Sequence, residues 1–184
     1  SLVKWVPQGE LDDVGDEPAV ENDGVEIAYQ IVTDATGLDA LAGELATSSG
    51  FTFDVETAPF GPQSKLVDPM RALLVGLSFA TAPGRAWYVP VGHVEGEQLG
   101  LVPALERLKP LMEDASLPKS AHNANYDTIV FKKHGVTVRG LVFDTMLASH
   151  LLGHKSLGLK SLALDLLGIE MTPIAELIGS GRNQ

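Results

Sequence analysis

The chain has 184 residues, of which 45% are apolar and 20% are charged, a composition typical of one soluble globular domain. It contains no cysteine, which excludes disulfides, cysteine–zinc sites and thiol catalysis. The net charge of −11 argues against a general polyanion-binding surface, although the last third of the chain is less acidic than the rest.

Residues 1–25 combine proline, glycine and a cluster of acids, which predicts an acidic linker or tail. This acidic beginning differs from the basic, apolar pattern of a signal peptide. No apolar run approaches the ~20 residues that a bilayer-spanning helix requires. We therefore expect a cytoplasmic protein with no membrane partner, whose folded domain occupies residues 26–184.

The first half of this domain is predicted to be rich in strands. Alternating or continuous apolar residues indicate the strands, and helical spacing of leucines indicates one helix, with Thr36 placed to cap it. The sequence Thr-Ala-Pro-Gly at 81–84 predicts an antiparallel hairpin. The predicted strands are 26–33, 51–57, 72–80 and 85–91, and the predicted helix is 36–48.

The second half alternates short strands with helices. Pro103 is expected in the first turn of its helix, and Asp144 is expected to be an N-cap. The predicted strands are 118–122 and 136–142, and the predicted helices are 97–113, 125–134, 144–152, 159–167 and 173–178. Hairpins followed by alternating strands and helices predict an α/β fold with a mixed, mostly five-stranded sheet flanked by helices.

Two carboxylates stand out in the strand at 51–57. Asp54 and Glu56 are two residues apart, so both point to one face, while the aromatic and aliphatic residues between them point to the other. Acids on the solvated face of a strand produce the same pattern. Ala58-Pro59 ends the strand directly afterwards, which places the pair near its C-terminal end, where α/β sheets bind ligands.

A third carboxylate follows a short strand. Asn123 and Asp127 are four residues apart and share a helical face, although an N-capping asparagine and an exposed acid would give the same spacing. Three converging carboxylates repel each other by up to ~4 kcal/mol per close pair. A bound cation relieves that repulsion, and all-oxygen ligation favours Mg²⁺ or Mn²⁺. Two such ions suit phosphate-ester hydrolysis.

The motifs around these acids resemble a known family. Phe-Asp-Val-Glu-Thr at 53–57 is similar to the first motif of the DEDD exonucleases, and Asn-Ala-Asn-Tyr-Asp at 123–127 is similar to the second. Phe-Asp-Thr-Met-Leu-Ala-Ser at 143–149 narrows the resemblance to the 3′–5′ exonuclease (proofreading) domain of bacterial, family A DNA polymerases. The similarity extends over residues 27–184 and implies a ribonuclease H-like fold.

The resemblance also implies roles for individual residues. Asp54 would bridge two metal ions, Glu56 would ligate the catalytic one and Asp127 the second. These three residues are the expected catalytic and metal-binding set. Asn123 would contact the terminal nucleotide or the metal shell, and Phe60 would pack against the last bases of a frayed 3′ end of DNA. Tyr126 is the third expected substrate-binding residue.

The family's third motif, a tyrosine followed four residues later by aspartate, is not present before Gln184. The first residue, Ser1, is likewise typical of a segment of a longer chain. The sequence therefore predicts a piece of a DNA polymerase I, joined to a polymerase domain, with an incomplete two-metal site and impaired nuclease activity.

Two other functions remain open from the sequence. The fold is also compatible with an inactive scaffold that positions the polymerase domain or binds single-stranded DNA. A free-standing RNA-trimming nuclease of the same superfamily is the other alternative. His150 and His154 have the spacing of two zinc ligands on one helical face, but Gly153 interrupts the helix, so surface or core histidines are expected.

Overall fold

The computed structural model describes residues 28–60 and 68–171, so the predicted tail at 1–25 and the predicted helix at 173–178 lie outside these ranges. The strands are β1 (Ala28–Ile31), β2 (Phe51–Ala58), β3 (Leu73–Ala82), β4 (Arg85–Pro90), β5 (Lys119–Ala121) and β6 (Leu141–Asp144). The helices are α1 (Ala35–Thr47), α2 (Leu101–Glu113), α3 (Ala124–Lys133), α4 (Thr145–Leu151) and α5 (Leu159–Leu167).

The described residues divide into two compact units: those up to Leu159 belong to the first, and those from Lys160 onward belong to the second. In the second unit the structure describes most of α5, which ends where Gly168 adopts a left-handed φ of 65° and donates its N–H to the Leu164 carbonyl. None of the helices within residues 28–60 and 68–171 has the length and apolar character needed to cross a bilayer.

The six strands form one mixed sheet in the order β1-β4-β3-β2-β5-β6. The β3–β4 pair is the antiparallel hairpin that the turn at 81–84 predicts, while β5 and β6 extend the sheet in parallel beside β2. The predicted mixed α/β sheet is therefore confirmed. The sheet has six strands where a mostly five-stranded sheet was predicted, because all six predicted strands join it and the short β6 pairs with β5 at its edge.

One face of the sheet and the helices α1, α2 and α3 share a hydrophobic core. Phe53 of β2, Phe79 of β3 and Trp87 of β4 pair across the strands and form a buried row. Leucines of α1 and α2, spaced at helical intervals, pack against the same core. This burial fixes which face of β2 is apolar, and therefore which face carries its acids.

Most predicted boundaries shift by one or two residues, and the differences at α1, α2 and β6 have clear physical content. Asp34, and not Thr36, caps α1: its extended backbone allows Oδ1 to accept the Gly37 N–H at 2.7 Å. The helix predicted at 97–113 begins only at Leu101, and Pro103 lies in its first turn as expected. The strand predicted at 136–142 instead spans Leu141–Asp144.

Asp144 is the predicted N-cap of α4 and also serves α3. Its carboxylate accepts the N–H groups of Met146 at 2.8 Å and Leu147 at 3.2 Å in α4. It also accepts those of Asn123 at 3.2 Å and Ala124 at 2.8 Å, where α3 begins. Desolvation acts to raise the pKa of Asp144, but these four donors outweigh it and hold the pKa below its usual value.

Replacement of Asp144 by alanine is expected to lower the free energy of unfolding at pH 7 by about 2–3 kcal/mol, since two helix starts lose their acceptor. Asp34→Ala removes one cap and is the matched control, with an expected loss of about 1 kcal/mol. Urea denaturation followed by circular dichroism measures both. Equal losses in the two variants would contradict the double role of Asp144.

Candidate active site

The centre of the site is the polar face of β2. Asp54 and Glu56 project from this face, opposite the buried Phe53 and Val55. The register pairs Asp54 with Ser78 of β3, and Glu56 with Gly76. The alternation predicted from the sequence therefore brings the two carboxylates onto one face near the C-terminal end of the strand.

Helix α3 is fastened to β2 by two contacts. The ring of Phe131 meets that of Phe53 edge-on, with centroids 5.8 Å apart. Five residues earlier on the helix, the Tyr126 hydroxyl bonds to the Thr57 hydroxyl at 2.7 Å. Tyr126, which the sequence assigned to substrate binding, is half-buried and packs against the core. These contacts carry Asp127, which lies between them on the helix, to the acidic end of β2.

Asp127 is buried without full compensation of its polar atoms. Its side chain is 2% exposed, which rules out the exposed helix acid that the sequence left open. Its Oδ2 atom is buried and has no hydrogen-bond partner within the described residues. Buried polar atoms are nearly always hydrogen-bonded, so an unpartnered carboxylate oxygen indicates a missing donor or cation.

The electrostatics show that the three acids influence one another. Burial, and then the Asp54 charge, raise the pKa of Asp127 to about 7. Desolvation, and then the Glu56 charge, raise the pKa of Asp54 to about 6, although its side chain keeps access to solvent. Desolvation also raises the pKa of Glu56, and the nearby His93 opposes that shift. All three pKa values are raised, and in each case burial is the largest cause.

The carboxylate oxygens are suitable ligands for a hard cation, but they do not surround a single metal position. Carboxylate oxygens are the ligands that Mg²⁺ and Mn²⁺ prefer, and Asp127 Oδ2 has unused acceptor capacity. Across residues 28–60 and 68–171, no three His, Asp or Glu side chains lie close enough together to hold a metal ion. An ion held at one or two of these carboxylates would complete its coordination with water or with substrate phosphate oxygens.

The other two expected substrate-binding residues border this region. Asn123 precedes α3 with a left-handed backbone (φ 60°, ψ 45°), a conformation that asparagine tolerates better than most residues. Its backbone N–H is held by Asp144, and its side chain makes no capping bond. Phe60 follows β2 and is 59% exposed, with the Arg71 guanidinium 5.9 Å from its ring centroid.

The sequence reasoning missed a polar group on the same side of the sheet. The Tyr88 hydroxyl bonds to Nε2 of His93 at 2.6 Å. The charge of His93 acts to lower the pKa of Glu56, and the charge of Glu56 acts to raise the pKa of Tyr88. Gly76 provides the space for this tyrosine. The strand pattern of 85–91 predicts the direction of Tyr88, but its approach to Glu56 depends on the register of three strands.

Comparison with known proteins identifies the class. A family model described as 3′–5′ exonuclease matches residues 29–182. DNA polymerase I of Chloroflexus aurantiacus is 39% identical over 155 residues, which are 84% of this chain and 16% of that protein. DNA polymerase I of Pseudomonas aeruginosa is 34% identical over 166 residues, covering 86% of this chain and 17% of the relative. The chain thus corresponds to only a small part of these proteins.

Solved structures share the fold at low sequence identity. The catalytic core of RRP6 from Trypanosoma brucei has a TM-score of 0.63 at 17% identity, covering 84% of this chain and 38% of that one. Pol1 from M. smegmatis has a TM-score of 0.60 at 23% identity, and the match covers 78% of this chain and 23% of that one. NrnC of Brucella melitensis with bound Mg²⁺ has a TM-score of 0.55 at 21% identity, and the match covers 80% of this chain and 65% of that one.

These neighbours confirm the predicted ribonuclease H-like fold. The family match and the polymerase relatives identify the family as well as the fold. The chain belongs to the 3′–5′ exonuclease domains of bacterial DNA polymerase I.

Replacement of Asp127 by asparagine is expected to stabilise the metal-free domain in a pH-dependent way. Because the folded-state pKa of Asp127 is raised to about 7, stability falls as the pH rises from about 4 past 7 and the buried carboxyl ionises. At pH 8 in EDTA, Asp127→Asn should raise the free energy of unfolding by about 0.5–2 kcal/mol. The gain should disappear near pH 4.

Asp39→Asn is the control, because this carboxylate is exposed and paired with Arg107 on the surface. It should give no gain that grows with pH. A gain for Asp127→Asn that is the same at pH 4 and pH 8, or a loss at pH 8, would contradict the unpaired buried charge.

Proposed function

We propose that this domain hydrolyses the 3′-terminal phosphodiester of DNA with two divalent cations, as a proofreading activity in replication and repair. The observation that carries this proposal is the buried, unpartnered Asp127 Oδ2 beside Asp54. A cation there would satisfy that oxygen and relieve the repulsion between the acids. Membership of the exonuclease family supports the reaction class, and a structural neighbour with bound Mg²⁺ supports the choice of ion.

Each carboxylate has a separate task in this proposal. Asp54 would ligate both ions, Glu56 would ligate the catalytic ion, and Asp127 would ligate the second, with Mg²⁺ or Mn²⁺ as the ions. Bound divalent ions supply an activated water and stabilise the leaving 3′ oxygen. The raised pKa values of Asp54 and Asp127 mean that protons compete with cations for these carboxylates near neutral pH.

The substrate is proposed to be a single-stranded or frayed 3′ end. Phe60 is exposed and offers its ring for stacking on a base, which accepts any sequence. Arg71, beside that ring, adds a positive charge near the path of the strand. Asn123 contacts the terminal nucleotide through its uncommitted side chain, and Tyr126 supports that contact by holding α3 against β2.

We further propose that residues 26–184 act as the exonuclease domain beside a polymerase domain of the same parent chain in the cytoplasm, with 1–25 as a linker. In this arrangement a mispaired end melts from the template and enters the acidic site. The small share of the relatives' length that this chain covers is consistent with one domain of a larger enzyme.

The scaffold function remains the second candidate because of one observation. In the part of the chain that the structure describes, the carboxylates do not form a ready-made metal site. For the same reason we propose that the 184-residue chain cleaves slowly, with its ions loosely held. A scaffold would bind single-stranded DNA equally well in EDTA and in Mg²⁺, and it would not cleave.

Asp54→Ala is expected to lower Mg²⁺-dependent removal of the 3′-terminal nucleotide at least about 100-fold, because metal ligation is worth several kcal/mol in the transition state. The substrate is a 5′-labelled single-stranded DNA, and product lengths are resolved on a denaturing gel. Asp165→Asn, at an exposed carboxylate of α5, is the control and should keep the full rate.

The same assay separates the alternatives. Cleavage that survives EDTA or Asp54→Ala would contradict the proposed mechanism. No cleavage by the unmutated chain, together with metal-independent DNA binding, would support the scaffold. Preference for a structured RNA over single-stranded DNA would instead support an RNA-trimming nuclease.

A further inference from the structure

Gly76 leaves a gap in β3 that a tyrosine of the neighbouring strand fills. A Cβ atom built on Gly76 would lie 1.9 Å from the Tyr88 hydroxyl oxygen and 2.3 Å from its Cζ. The Tyr88 side chain therefore lies diagonally over the backbone of β3, since Tyr88 itself pairs with Ser78. Gly76 is the cross-strand partner of Glu56, so the phenol reaches the carboxylate side of the sheet.

His93 is held at the end of this phenol. The Tyr88 hydroxyl and His93 Nε2 are 2.6 Å apart, and the two rings meet edge-on with centroids 5.7 Å apart. The Gln98 side-chain amide forms two hydrogen bonds with the backbone of His93. It accepts the His93 N–H at 2.8 Å and donates to the His93 carbonyl at 2.8 Å. The imidazole is exposed to solvent. Tyr88 holds its ring, and Gln98 holds its backbone.

The protonation of this pair leaves one imidazole donor available. Burial, and then the Glu56 charge, raise the pKa of Tyr88 to about 12, so its hydroxyl stays protonated and can donate to Nε2. The imidazole proton then lies on Nδ1. No hydrogen bond engages that nitrogen within residues 28–60 and 68–171. A neutral or charged imidazole thus offers an N–H beside a cluster of acids that otherwise repels phosphate.

We propose that His93 is a substrate-contacting residue that donates its Nδ1–H to the terminal phosphate of the DNA strand, and that Tyr88 is its positioning residue. This inference rests on the proposed function, because it requires the 3′ end to lie beside Glu56. The gap at Gly76 exists, on this view, to let Tyr88 place the imidazole there.

The test is a double-mutant cycle in which the His93 side chain and the charge of the terminal phosphate are removed separately and together. The 184-residue chain binds a fluorescent single-stranded DNA in Ca²⁺, which limits hydrolysis, and anisotropy gives Kd. One oligonucleotide has a normal terminal linkage, and the other has an uncharged methylphosphonate there. His93→Ala should weaken binding of the normal strand about tenfold, as expected for a hydrogen bond to a charged group.

The methylphosphonate strand should bind His93→Ala and the unmutated chain equally. His93→Gln, which keeps an N–H donor, should recover part of the loss. Tyr88→Phe should weaken binding of the normal strand about threefold, because the imidazole remains but loses its anchor. His150→Ala, at an exposed histidine of α4, is the control and should change neither Kd.

Equal losses on both strands, or no loss on either, would overturn the role of His93 while leaving the exonuclease proposal intact. Failure of the unmutated chain to bind the normal strand would overturn the role of His93, and the Asp54→Ala cleavage assay reports separately on the exonuclease.

Discussion

The strict alternation of β2 is the constraint on which the site depends. Phe53 and Val55 must face the core, so Asp54 and Glu56 must face the opposite side, and a register slip of one residue would bury both charges. The same strand then fixes α3 through Phe131 and Tyr126. Asp127 lies near Asp54 because these contacts fasten its helix to β2.

Two aspartates on neighbouring elements carry charges with opposite effects on stability. Asp144 accepts four backbone N–H groups, its pKa is lowered, and its charge stabilises two helix starts. Asp127 is more deeply buried, has an unpartnered oxygen, and its pKa is raised to about 7. The first charge stabilises the domain, whereas the second destabilises the metal-free domain, a conflict typical of sites that bind a cation.

Periodicity was enough to predict the mixed sheet, the hairpin, the Asp144 cap and the face of β2 that carries its acids. The cap of α1 was mispredicted because Asp34 and Thr36 are both good caps, and the choice depends on where the backbone leaves the extended conformation. The Tyr88–His93 pair was missed because it needs the register of β2, β3 and β4 together with a missing side chain at Gly76. Such tertiary information has no local signal in the sequence.

The central claim is that these three carboxylates are arranged to hold divalent ions. Anomalous diffraction from crystals of the chain soaked in Mn²⁺ tests it most directly, because it locates manganese without relying on activity. The account predicts a manganese peak within bonding distance of Asp54, with Glu56 and Asp127 Oδ2 turned towards the ions. Manganese bound only elsewhere, with the Asp127 oxygen still unpartnered, would contradict it.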